Sequence, residues 1–250
     1  MLRLERVSRA FGGIRALEDV SFSIPKGSIT GIIGPNGAGK TTLFNIITGI
    51  YPPSAGEIHL DNEIVSGLPP EQLAAKGCVR TFQNLELFSG MTVLENVMVG
   101  LHTRSRSGFV ASALKFPTQV KEERNLRERA MHWLEYTGIT ELANNLAGSL
   151  PFGQGRMVEI ARALALEPVL LLMDEPAAGL NSRETVELGH LITKIRELGI
   201  TVALVEHDME LVMDICEKIV VLNLGQKLAE GTPREIQENP EVISAYLGEE

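Results

Sequence analysis

No stretch of this sequence comes near the run of roughly 20 apolar residues that a bilayer-crossing helix requires; the longest apolar clusters are short ones such as Val169 to Met173. The first ten residues alternate charge with apolar groups and lack the apolar centre of a secretory signal. A chain that neither spans a membrane nor leaves the cell by that route is expected. Cysteine is scarce: Cys78 and Cys216 are too few for a disulfide framework and have no metal-ligand spacing. Cys216 lies in the apolar stretch Leu211 to Val221 and reads as a small buried hydrophobe, which fits a reducing cytoplasm. Positive charge is outweighed, with 23 Lys and Arg against 32 Asp and Glu. The resulting net charge of −9 predicts no nucleic-acid partner, which would have to be gripped by its phosphates. Internal repeats and low-complexity tracts are absent. What remains is an ordinary globular composition, long enough for one large domain or a large and a small one.

Short apolar patterning rich in β-formers opens the chain, at Leu2, Leu4 and Val7, then at Val20, Phe22 and Ile24. Pro25 and Gly27 mark a turn before an apolar strand from Ser28 to Ile33. The run after Lys40 turns helical through Leu43, Phe44, Ile46 and Ile47 and stops at Gly49. Further strands are expected at Gly56 to Leu60 and Val79 to Phe82. From Met91 to Ser149 the period is helical. Thr92 with Glu95 makes a capping box for a helix through Val99, and Leu126, Ala130, Trp133 and Leu134 form one apolar stripe. Between these helices His102 to Lys121 mixes Ser, Arg, Gly and Pro and reads as an irregular insertion with solvated basic side chains. After Ser149 elements alternate: helix (Phe152 to Leu166), strand (Val169 to Met173), helix (Arg183 to Leu198), strand (Ile200 to Val205), helix (Met209 to Cys216), strand (Ile219 to Leu224). Such alternation predicts a mostly parallel sheet with helices on both faces.

GPNGAGKT, Gly34 to Thr41, follows an apolar strand and opens a helix, the context a phosphate-binding loop requires. Gly34, Gly37 and Gly39 let the backbone bend so that N–H groups along Asn36, Ala38 and their neighbours converge on phosphate oxygens. The helix beginning near Lys40 adds its positive end. Lys40 is expected to reach the β- and γ-phosphates, Thr41 to ligate Mg²⁺ and Thr42 to meet the α-phosphate. Such a loop serves kinases, GTPases and motor ATPases alike, although the Asn-Lys-x-Asp run of guanine binders is absent. The apolar run Val169 to Met173 ends in Asp174-Glu175, an acidic pair at the carboxyl end of a strand, where open α/β sheets bind ligands. Asp174 can hold Mg²⁺ there, and Glu175 can orient or deprotonate an attacking water. The fold class is α/β. It comprises a phosphate-loop NTPase core at 1–90 and 166–250, with an antiparallel β portion near the N-terminus, interrupted by a helical subdomain at 91–165.

Several motifs follow the phosphate loop in order: RTFQN (Arg80 to Asn84), LPFGQGR (Leu150 to Arg156), LLLMDEP (Leu170 to Pro176), AAGLN (Ala177 to Asn181) and EHDM (Glu206 to Met209). With this order and spacing the chain resembles, from end to end, the ATPase of an ABC (ATP-binding cassette) transporter. In particular it is similar to one of the two ATPase subunits of branched-chain amino-acid uptake systems. The 100–126 insertion and the Gly231 to Gly248 tail, ending PEVISAYLG, add to that likeness.

The resemblance implies that ATP with Mg²⁺ is bound and hydrolysed. It casts Gln83 as the glutamine that touches Mg²⁺ or the attacking water, His207 as the histidine bonded to the γ-phosphate, and Phe11 as the ring stacked on adenine. It casts Gly153 and Gln154 as part of the signature that meets ATP across a subunit pair. Pro151 and Phe152 depart from the usual Leu-Ser-Gly-Gly-Gln signature, and Asn181 stands where many relatives have Asp. Leu85, Leu87 and Phe88 lie where a membrane subunit docks in such transporters. The implied partners are transmembrane permease subunits, a second ATPase subunit in a homo- or heterodimer and, indirectly, a solute-binding protein. The implied location is peripheral, on the cytoplasmic face of the inner membrane. A urea or amide importer, or a regulatory subunit with impaired hydrolysis, is the alternative.

Overall fold

The computed structural model describes residues 1–102 and 117–247. The chain divides into two compact units, one of Met1–Arg80 with Val169–Glu250 and one of Thr81–Pro168. The first unit is built on two sheets. Strands β1 (Leu2–Phe11), β2 (Ile14–Ile24), β4 (Ala55–Leu60) and β5 (Glu63–Ile64) form an antiparallel sheet in the order β2-β1-β4-β5. The second sheet has the order β10-β9-β3-β8-β7-β6, with β3 (Ile29–Ile33), β6 (Cys78–Thr81), β7 (Leu170–Asp174), β8 (Thr201–Val205), β9 (Lys218–Asn223) and β10 (Gln226–Gly231).

Strands β9, β3, β8 and β7 are mutually parallel, and β10 turns back antiparallel on β9. All five residues of β3, of β7 and of β8 are buried. Their unbroken apolar runs are what a strand covered on both faces requires. The register pairs Ile32 with Val205 and Val205 with Asp174, so the carboxyl ends of three strands come level at one end of the sheet. Helix α1 (Lys40–Ile47) contributes Leu43, Phe44, Ile46 and Ile47 to a core shared with Leu4, Val7 and Phe22 of the antiparallel sheet and Leu172, Val205 and Val220 of the parallel one. Burying each such side chain stabilises by about 1.5–3 kcal/mol, which ties the position of α1 to both sheets. Helices α2 (Pro70–Ala75), α6 (Ser182–Glu197), α7 (Met209–Ile215), α8 (Pro233–Gln237) and α9 (Pro240–Leu247) complete this unit.

The second unit packs α3 (Val93–His102), α4 (Pro117–Tyr136) and α5 (Phe152–Ala165) around Val97, Leu101, Leu126, Ala130, Leu134, Val158 and Ala161. The capping box of α3 is present: the Glu95 N–H donates to Thr92 Oγ1 at 3.2 Å and the Thr92 N–H to Glu95 Oε2 at 2.7 Å.

The structure departs from the sequence expectation in three respects. This unit begins at Thr81 and ends at Pro168, not at 91 and 165. The reason is local: the Phe82 N–H and carbonyl bond to Glu159 and Arg156, and the Phe88 N–H bonds to Asn96. Residues 117–121, expected to be irregular, are the first turns of α4, with Pro117 at a position where proline is tolerated. The remainder of the expected insertion, residues 103–116, lies outside the described residues. Finally, β10 and the short helices α2, α8 and α9 have no counterpart in the sequence expectation, although Thr232 and Glu235 make a capping box for α8. The burial pattern of β10 is exposed or intermediate throughout, so no apolar alternation marks it.

Candidate functional site

Between β3 and α1 the backbone passes through left-handed turns at Gly37 (φ 76°) and Gly39 (φ 100°), as a loop that curls around an anion requires. At Gly34 packing adds its own demand, because a Cβ there would lie 2.1 Å from the Leu222 carbonyl of β9. The Lys40 side chain is buried and folds back over the loop, its Nζ donating to the Gly34 carbonyl at 2.6 Å and the Pro35 carbonyl at 2.9 Å. No side chain caps α1. Its positive end therefore lies at a cleft of about 410 Å³ lined by the predicted residues Asn36, Gly37, Ala38, Gly39, Lys40, Thr41 and Thr42.

Glu175 and His207 line the same cleft. Glu175 follows β7 in a left-handed conformation (φ 47°) and is held there by its N–H, which donates to the Val205 carbonyl at 2.9 Å. Its Oε1 lies 3.0 Å from His207 Nε2. Two side chains from motifs 32 positions apart thus meet in the cleft at the glycine-rich loop.

Glu206, to which the sequence motifs assign no role, is buried and organises this corner. One carboxylate oxygen accepts the Ala177 N–H at 2.7 Å, and the other accepts the His207 N–H at 3.0 Å and the Asp208 N–H at 3.4 Å. Burial pushes its pKa above the ordinary carboxyl value, against the pull of those three N–H groups. A charged residue directly after the apolar strand Thr201 to Val205 was the available signal.

Asp174 is at the end of β7, buried and ion-paired. Its Oδ2 accepts from Arg80 Nη2 at 2.5 Å, and the same guanidinium donates to Asn45 Oδ1 at 2.6 Å and lies over the Phe44 ring. Arg80, the first residue of RTFQN, is thus a second functional candidate, and its sequence position alone carries no sign of this contact. The hydroxyl of Thr41 and the carboxylate of Asp174 are hard oxygen donors, the chemistry that suits Mg²⁺.

Phe11 does not line this cleft. It sits at the end of β1, edge-on to Tyr51 with ring centroids 5.2 Å apart and with the Arg9 guanidinium 4.7 Å from its own centroid. The lining from β2 and its approach is instead Ile14, Arg15 and Ala16.

Gln83, Gly153 and Gln154 belong to the second unit. The Gln83 side chain is exposed while its carbonyl accepts from Arg156 Nη2 at 2.8 Å. Gly153 is buried in the first turn of α5, and Pro151 occupies the cap position of that helix without a side-chain cap. In the first unit, Asn181 has a structural role: its side chain accepts from the Arg183 and Glu184 N–H groups, and Glu184 returns a bond to its own N–H. Capping asks only for an acceptor, so Asn serves there as well as Asp.

The family model described as "ABC transporter" matches residues 17–178, and one described as "Branched-chain amino acid ATP-binding cassette transporter" matches residues 226–250. The high-affinity branched-chain amino acid transport ATP-binding protein BraF of Pseudomonas aeruginosa is 49% identical, over 100% of this chain and 98% of its own length. Its counterpart LivG of Escherichia coli K12 is 45% identical with the same coverage. Among solved structures, the ADP conformation of an ATP-binding cassette of an ABC transporter superposes with a TM-score of 0.87 at 34% identity, covering 100% of this chain and 99% of that one. A dimeric bacterial ABC transporter cassette gives 0.79 at 30% identity, covering 94% and 99%. With the cleft at the phosphate loop in place, a family model matched over residues 17–178 and relatives aligned along the whole chain, the chain belongs to the ABC transporter family, as an ATP-binding cassette that hydrolyses ATP.

Proposed function

We propose that this chain is the motor subunit of an importer for branched-chain amino acids, bound peripherally to permease subunits at the cytoplasmic face of the membrane. The contact between Glu175 and His207 at the phosphate cleft carries the catalytic part of this reading. The identity to BraF and the match of residues 226–250 support the substrate class.

The triphosphate lies along the loop, with Lys40 Nζ on the β- and γ-phosphate oxygens and Thr42 near the α-phosphate. Nζ already sits at the loop, so binding exchanges its two carbonyl partners for phosphate oxygens of full charge. Thr41, Asp174 and Gln83 would hold Mg²⁺, which would supply neutralisation of phosphate charge. Glu175 Oε1 accepts the proton of a water that attacks the γ-phosphorus in line, while the bond from that phosphorus to the bridging oxygen breaks. His207 Nε2, 3.0 Å from the same carboxylate, holds it before ATP binds and turns its single N–H to the γ-phosphate afterwards. Positioning and charge stabilisation supply most of the rate.

The working unit is a two-fold pair in which Gly153 and Gln154 of one subunit meet the ATP of the other, as a homo- or heterodimer. A solute-binding protein acts on it through the permease. Pro151 supports a second reading, in which this chain contributes one weak and one strong site to a mixed pair. Reconstitution with the permease subunits in vesicles tests the proposal. ATP-driven uptake of leucine, isoleucine or valine is the expected result, and uptake of urea or amides alone overturns the substrate class.

A further inference from the structure

Among the described residues Arg156 is the largest fully buried side chain, and it lies on the signature helix. A guanidinium withdrawn from water needs every available partner. Here Nη1 bonds Glu159 Oε2 at 2.5 Å and the Phe82 carbonyl at 2.7 Å, and Nη2 bonds the Gln83 carbonyl at 2.8 Å. Glu159, equally buried, uses its other oxygen to accept the Phe82 N–H at 3.1 Å. The ion pair therefore holds both polar groups of Phe82 and the carbonyl of Gln83, all from one turn of α5. Burial raises the pKa of Glu159 and the adjacent Arg156 charge opposes that rise.

Two neighbouring observations extend the clamp. A Cβ on Gly155 would come within 2.4 Å of Leu85 Cδ2, so the glycine leaves room on α5 for the residue two places after Gln83. At the far end of the segment, Asn96 accepts the Phe88 N–H at 2.9 Å and donates to the Phe88 carbonyl at 3.1 Å. The backbone is pinned at both ends, while the side chains of Phe82, Gln83 and Phe88 stay exposed. Stability alone gives no reason for this arrangement, since apolar side chains of similar volume commonly serve as well as a buried ion pair. Apolar side chains cannot bind an N–H and two carbonyls at once.

We propose that Arg156 and Glu159 are positioning residues for Gln83, fixing its backbone to the first turns of α5 so that Gln83 and the Gly153–Gln154 turn are presented by one rigid element. The proposal rests on the reading of Gln83 as a residue that senses bound nucleotide.

The test uses the chain assembled with its permease. In the double variant Arg156→Met/Glu159→Leu the volume is kept and the polar clamp is lost. Cooperative melting should persist and KM for ATP should stay within about twofold, while kcat falls by about tenfold or more, as small misplacements of a catalytic group do. Amide exchange in peptides spanning 82–88 should quicken by about tenfold or more. Adding Gln83→Ala to the double variant should cost little further, because the residue it removes is already misplaced. Arg156→Lys keeps the charge beside Glu159 but not the planar fork, and should give an intermediate kcat with native melting; it decides the matter if the double variant does not fold. Unchanged exchange, an unchanged kcat, or a full additional loss on Gln83→Ala overturns the proposal. A wild-type kcat for Gln83→Ala alone would instead reject the role of Gln83, with the exchange data still reporting on the clamp.

Discussion

Helices α6, α7 and α8 are capped by their own sequence. Asn181 accepts from the Arg183 and Glu184 N–H groups, Asp208 from Leu211 and Thr232 from Glu235. Helices α1 and α5 have no side-chain cap, with Gly39 and Pro151 in the cap positions. The capped ends are structural. Helix α2, with Pro69 in the cap position, is uncapped as well, but the ends of α1 and α5 are the two that the sequence motifs assign to ATP, and they differ in kind. At α1 a left-handed glycine and the Lys40 ammonium leave the helix dipole to an anion. At α5 the chain presents a proline and the half-exposed ring of Phe152, with the Arg156 guanidinium 5.5 Å from that ring. One terminus is equipped to hold charge. The other is an open end from which the hydroxyl and N–H of a serine have been removed.

This contrast separates chemistry from pairing, and substitutions can sharpen or break it. The largest effect is expected at Glu175→Gln, which keeps the shape and removes the base: turnover should fall by at least about a hundredfold with ATP still bound. Retention of more than a tenth of wild-type turnover in the assembled transporter would take Glu175 out of the reaction. Next, Lys40→Ala should weaken ATP by about tenfold or more and adenosine hardly at all, since a bond to a charged group contributes about 1.5–3 kcal/mol. Equal weakening in a titration calorimeter would mean that the loop does not hold the phosphates.

On the α5 side, Pro151→Ser/Phe152→Gly combined with Glu175→Gln should tighten ATP-dependent pairing roughly tenfold, by restoring one or two charge-assisted donors. Sedimentation with ATP and Mg²⁺ reads this, and a parent chain that already pairs as tightly would dissolve the contrast between the two termini. The smallest effects belong to the capped helices. Asn181→Ala and Thr232→Ala should each cost about 1 kcal/mol in denaturant unfolding, whereas Asn181→Asp should be neutral within about 0.5 kcal/mol. A loss of turnover in Asn181→Asp that exceeds its loss of stability would give that residue a catalytic part.

The phosphate loop, the acidic pair and the histidine were legible because their signals are local: spacing, glycine placement and the apolar strand before each. So were β3, β7, β8 and the capping box of α3. Charges whose meaning depends on burial were not. Arg80, Arg156, Glu159 and Glu206 look like ordinary polar letters in a helix or at a strand end, and only the packed structure sets Arg80 on Asp174, Arg156 on Glu159, and Glu206 on the N–H groups of Ala177 and His207. Phe11 was legible only through the family resemblance, which assigns it to adenine; its contacts with Tyr51 and Arg9 had no local signal. The polar strand β10 owes its existence to the β9 edge it covers, which no periodicity within Gln226 to Gly231 could announce.

The backbone of Glu175 has a consequence for anyone breeding heat-tolerant forms of this protein. A glutamate held at φ 47° occupies a conformation that costs an L-residue about 1–2 kcal/mol and that glycine or asparagine adopts readily. A library screened only for survival of heating should therefore enrich replacements at this position, and each such winner would be an endurance champion that no longer turns over fuel. Selection on melting temperature and selection on transport pull this one residue in opposite directions.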